Sequence, residues 1–146
     1  MKKINLLLAT VLLLVIACQK QSVSSNDVLE LNPDQVVKVY FESWNNKNYN
    51  VMYSLISDGF KKIEPTAKTF EDFKSNMGKF YDTANGVEVI EAKETYNNGK
   101  EAGVAYKIKI TNKDGTEKDF DSTYTLKKRI NGWKLIHAYG KNIDTT

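Results

Sequence analysis

Apolar positions recur at helical spacing in the first half of the chain and alternate with polar ones in the second. Val36, Val37, Tyr40, Phe41 and Trp44 fall on one side of a helix. Asn32-Pro33-Asp34-Gln35 opens it: an N-cap side chain, a proline where the missing N–H costs nothing, and a glutamine three residues on. The asparagines at 45, 46 and 48 close it. Asn50 is expected to cap a short second helix carrying Met52, Leu55 and Ile56 as far as Gly59. Thr69 with Asp72 starts a third, with Phe70, Phe73 and Met77 on one side and Gly78 as its stop. Between the second and third, Phe60 to Pro65 reads as a short strand.

The period then changes. Ala102, Val104, Tyr106, Ile108 and Ile110 alternate with Gly103, Ala105, Lys107, Lys109 and Thr111, as in a half-buried strand. Phe120, Ser122, Tyr124 and Leu126 repeat the pattern, and Trp133, Leu135, His137 and Tyr139 form a last strand. Asn97-Asn98-Gly99, Asp114-Gly115 and Asn131-Gly132 supply the turns. A two-residue Asn131-Gly132 turn pairs Ile130 with Trp133, Leu126 with His137 and Tyr124 with Tyr139. A three-residue loop with Gly115 in a bulge pairs Ile110 with Phe120, keeping the apolar faces together. The strand from Val87 to Tyr96 has no register that its residues specify.

The first residues follow neither period. Lys2 and Lys3 precede a run of 11 residues, Leu6 to Ile16, broken only by Thr10. That is a secretory signal pattern, and it is short of the roughly 20 apolar residues a spanning helix needs. It ends in Val15-Ile16-Ala17-Cys18, which resembles the lipobox of prokaryotic lipoproteins. The resemblance implies cleavage before Cys18, lipid on that cysteine, and an extracytoplasmic domain held to a cell membrane or outer membrane. An ordinary signal peptide with an incidental cysteine is the alternative. Cys18 is the only cysteine, so no intramolecular disulfide competes for it. The chain therefore divides into a signal at 1–17, a lipidated cysteine with a polar tether at 18–31, and one domain at 32–146.

Charge adds little. Of 21 basic residues the signal holds two, leaving 19 against 18 acidic ones, so the exported part has no polyanion footprint and no nucleic-acid partner is expected. One histidine and a committed cysteine cannot build the usual zinc cluster, so no metal is expected. No phosphate-binding glycine loop or G-x-S-x-G elbow appears, and no cofactor is expected.

Helices followed by a meander of antiparallel strands define an α+β class. Val39-Tyr40-Phe41-Glu42-Ser43-Trp44-Asn45-Asn46-Lys47-Asn48-Tyr49 and the terminal Asn131-Gly132-Trp133-Lys134 resemble the nuclear transport factor 2-like fold over about residues 32 to 143. The resemblance implies N-terminal helices in the concave face of a curved sheet, a pocket between them, and homodimerisation through the sheet's outer face. Tyr40, Trp44, Tyr106, Tyr124, His137 and Tyr139 are the candidate pocket residues. Two functions follow: a non-catalytic binding or accessory domain for a small apolar ligand or an envelope protein, or a pocket isomerase or dehydratase with His137 as acid or base. Asp119 with Asp121, and the run Lys127-Lys128-Arg129, read as solvated strand positions.

Overall fold

The computed structural model describes residues 27–136. Cys18 with the signal, the tether as far as residue 26, and His137 and Tyr139 lie outside the described residues; the last residues expected in the tether, 27–31, are described, and Val28 there is buried in the core.

A 3-10 turn, Asp27–Glu30, leads into helix α1, Pro33–Asn45. The Asn32 backbone N–H donates to the Gln35 side chain at 2.8 Å, closing the expected N-terminus. Val36 and Val37 are fully buried, and Tyr40 and Phe41 nearly so. At the exit Lys47 takes a left-handed φ of 57°, which turns the chain at once into α2, Tyr49–Leu55. The second helix has thus already begun where Asn50 was expected to cap it; its flanking residue is Asn48.

Nor does that helix run to Gly59. Ile56 is extended and bridges Leu135 in parallel, and the Ser57 N–H donates to the Leu135 carbonyl at 2.9 Å. The Ser57 hydroxyl then accepts from the Phe60 N–H, capping α3, Asp58–Ile63. The strand expected at Phe60 to Pro65 is therefore this helix followed by a 3-10 turn, Pro65–Ala67. The helix buries Phe60 and leaves Ile63 half exposed, and Pro65 has no N–H to give a sheet. Helix α4, Phe70–Gly78, begins as expected: the Thr69 hydroxyl accepts from the Asp72 N–H at 3.1 Å. A single extra turn, α5, Phe80–Thr83, follows.

Strands β1 (Ala84–Asn97), β2 (Glu101–Asn112), β3 (Glu117–Arg129) and β4 (Gly132–Ile136) form an antiparallel meander in the order β1-β2-β3-β4. Its helix side carries Val104, Tyr106, Ile108, Leu126 and Leu135 against α1 and α2. At Gly86 the helix comes so close that a Cβ would lie 2.8 Å from the Asn45 side-chain oxygen, which accepts from the Val87 N–H. This is the α+β architecture expected, with helices on one face of a curved sheet.

Both sequence-based registers move by two residues. Lys128 faces Trp133 and Leu126 faces Leu135, in place of the Ile130–Trp133 and Leu126–His137 pairs. A primed two-residue turn at Asn131-Gly132 needs a positive φ at Asn131, either alone or together with Gly132. Only Gly132 has it, at 94°, and among the described residues Lys47 is the single non-glycine with a positive φ. The turn is consequently Ile130-Asn131, with Gly132 opposite Arg129. Likewise Ile108, not Ile110, faces Phe120. The loop has the expected three residues and Gly115 has the expected positive φ, but Asn112 and Thr116 close it at 2.8 Å, one residue earlier. A shift of two preserves the face, so the apolar sides still coincide. The β1 register, open in the sequence, is Val87 with Ile110 and Ala92 with Tyr106, interrupted by three bulges.

Candidate functional site

Two surfaces of the sheet offer a site. On the helix side, Tyr106 and Tyr124 sit on adjacent strands and stack at 4.9 Å between ring centroids. Phe41 of α1 closes on Tyr106 at 5.0 Å, and Tyr40 meets Tyr124 edge-on at 6.2 Å. The Tyr106 hydroxyl is within hydrogen-bond reach of those of Ser122 and Tyr124. Burial pushes the hydroxyl pKa of Tyr40 up, with Tyr106 adding to it; Tyr124 is raised far by burial and then by Tyr40 and Tyr106. Tyr106 is raised by burial against the opposing effect of its bonds to Ser122 and Tyr124. All three are therefore neutral donors at ordinary pH.

Trp44 is not part of this group of tyrosines. Its indole N–H donates to the Met77 carbonyl at 3.2 Å, its ring packs on Phe80 at 4.4 Å, and its own carbonyl accepts from the Tyr81 hydroxyl. It stitches α1 to α4 and α5. Tyr40, Tyr106 and Tyr124 are thus brought together, Trp44 is held to one side, and His137 and Tyr139 fall outside the described residues. No carboxylate is buried among the described residues; the buried polar side chains are Ser43, Ser57 and Lys134. The Lys134 ammonium donates to the Ser54 carbonyl in the last turn of α2 at 2.6 Å, a cation at a helix C-terminus. Its pKa is held below the usual lysine range by burial, then by Lys61.

The other surface is open. Register places Glu91 beside Lys107 and Lys107 beside Asp121, with Lys93, Ala105 and Thr123 in the next row. These six line a depression of about 410 Å³, with Tyr106 and Ser122 between them. The small Ala105 side chain leaves the hollow between longer charged neighbours. Lys107 bonds Asp119 at 2.9 Å and Lys109 bonds Glu117 at 3.1 Å along the same face. Asp119 is lowered chiefly by its hydrogen bond to Lys107. Sequence reasoning did not find this depression, because it needs the β1 register; the only signal was alanine flanked by lysine-bearing alternation. No group of three potential metal ligands occurs among the described residues, and none of their helices is long and apolar enough to cross a membrane.

The sequence matches the NTF2-like N-terminal transpeptidase domain over residues 32–138. The chain belongs to this family. The transpeptidase-domain match spans the helices and all four strands described above. Solved structures share the fold at low identity. A SEC-C motif containing protein from Rhodopseudomonas palustris is 9% identical with a TM-score of 0.56, each chain being 77% covered. A candidate polyketide cyclase from Xanthomonas campestris is 12% identical with a TM-score of 0.51, covering 77% of this chain and 90% of its own. A conserved protein from Planctomyces limnophilus is 18% identical with a TM-score of 0.50, covering 69% and 85%. No curated protein matches the sequence.

Proposed function

We propose that this NTF2-like domain is a non-catalytic accessory module of the cell envelope, tethered to the membrane by lipid on Cys18, that binds a protein partner through the outer face of its sheet. The observation that carries the reading is the contrast between the two faces: the helix-side tyrosines are packed on one another, whereas the open depression is outside and lined by charges of both signs. Such a surface suits a polar protein partner more than a small apolar ligand. The family's description as an N-terminal transpeptidase domain supports a place beside wall-crosslinking enzymes. An isomerase or dehydratase role would rest on His137, outside the described residues, with an acidic group in an apolar pocket beside it, and the described carboxylates are all outside the core.

The test is a photo-crosslinker placed in cells at Thr123, in the depression, and at Glu71, exposed on α4. A discrete adduct with an envelope protein at Thr123 and none at Glu71 is expected. An adduct with a second copy of the chain would make the face a homodimer interface. No Thr123 adduct, together with a small molecule retained in the native mass spectrum, would replace the protein partner with an apolar ligand.

A further inference from the structure

The β1–β2 and β3–β4 turns lie side by side at one end of the sheet, where the Lys128 N–H donates to the Lys100 carbonyl at 2.8 Å. The described chain also begins there. The Asp27–Glu30 turn presses on Gly132 so closely that a Cβ at 132 would lie 3.1 Å from the Val28 carbonyl oxygen and 3.4 Å from the Leu29 Cα. At this end Ile130 is fully exposed, at 106%, and Leu29 is half exposed.

A single surface apolar residue needs no explanation. Ile130 differs in its setting. It occupies a two-residue hairpin turn, a position that favours Gly, Asn, Asp or Ser and that a β-branched side chain does not favour. It is followed in space by Leu29 on the segment packed against the same turn, and Lys127, Lys128 and Arg129 lead into it with Lys100 alongside. Glu30 and Glu101 share this end, and Glu101 already accepts from the Tyr96 hydroxyl at 2.7 Å. Nine residue steps separate Cys18 from Asp27, a covalent reach of at most about 32 Å. The opposite end, the Lys113-Asp114-Gly115 loop, stands the length of the 13-residue β3 away, about 40 Å.

We infer that the Ile130 end is a membrane-docking surface: with Cys18 lipidated, on which this rests, Ile130 and Leu29 enter the boundary between headgroups and acyl chains. Exposed Lys100 faces anionic headgroups, while Lys128 keeps its ammonium over the Trp133 ring, and the domain stands with the Lys113–Gly115 loop away from the bilayer. The tether then sets the distance, and the hairpin tip sets the orientation.

The full chain carrying Lys100→Cys, or separately Lys113→Cys, is labelled with an environment-sensitive dye and reconstituted into phosphatidylglycerol–phosphatidylcholine vesicles containing doxyl lipid. Mass spectrometry reads acylation of Cys18 in the same samples. Both labelling positions are exposed, and Ile130 makes no buried contact to lose. With Cys18 acylated, loss of emission at 100, retained emission at 113, and recovery at 100 on adding Ile130→Asp are expected. Acylated protein quenched equally at both positions, or quenched at 100 regardless of Ile130→Asp, overturns the docking and leaves the tether standing. A Cys18 thiol that takes up dye defeats the tether, and the docking falls with it.

Discussion

Alternate residues of one strand lead opposite lives in this protein. On β2, Val104, Tyr106 and Ile108 are buried under α1, while Lys107 and Lys109 one position away form exposed ion pairs across to β3. The helix side derives its stability from packing; each large apolar side chain there contributes about 1.5–3 kcal/mol by leaving water. The outer side contributes little, since exposed ion pairs are screened and mobile. It retains what the inner side has lost, an open surface with unfilled volume. Under the proposed function, stability and binding fall on opposite faces of the same sheet.

The largest effect that can break this contrast is on the packed side. Leu135→Ala, at a fully buried position opposite Leu126, should cost about 2–5 kcal/mol in urea unfolding. A loss under about 1 kcal/mol would mean that the helix side is loosely filled.

Alkaline titration comes next. The folded pKa values of Tyr40, Tyr106 and Tyr124 are raised above their ordinary value of 10.0, so the folded state binds more protons than the unfolded one above that pH. The stability they contribute is whole below pH 10.0 and falls as pH rises beyond it. Lys134 acts oppositely: its depressed folded pKa makes stability rise with pH up to its ordinary 10.5. Three tyrosines outweigh one lysine, so these tyrosinates should appear only on unfolding; titration of all eight tyrosines in native protein would contradict the packed cluster.

Substitutions on the outer face should do less. Gly103→Ala puts a Cβ 2.3 Å from a ring atom of Tyr96, whose hydroxyl donates to Glu101, and 2.9 Å from the Thr95 hydroxyl oxygen, so the ring must shift and a cost of about 1–3 kcal/mol is expected. Lys107→Ala, which removes the bond to Asp119, should leave the thermal midpoint unchanged within error at moderate salt. A clear drop would show that the outer face is also structural.

Much of this was legible in short stretches. Asn32, Pro33 and Gln35 announce α1, and Thr69 with Asp72 announces α4, because capping is settled within one turn of chain. The alternation of β2 and the placement of Gly115 were equally local. One error arose where a choice depended on distant partners. Asp58–Ile63 is helical because Ser57 is drawn to Leu135 and caps from there, a contact between residues 78 apart in sequence.

Residue order by itself thus determined the class of fold, the faces of its strands and the chemistry the cluster could hold, since periodicity and caps act over a few residues. Tertiary structure decided which residues meet. A turn's φ values and the packing of Asp27–Glu30 against Gly132 set the β3–β4 pairing, the hollow over Ala105 needed three strands in register, and the meeting of Tyr40, Tyr106 and Tyr124 needed helix and sheet together.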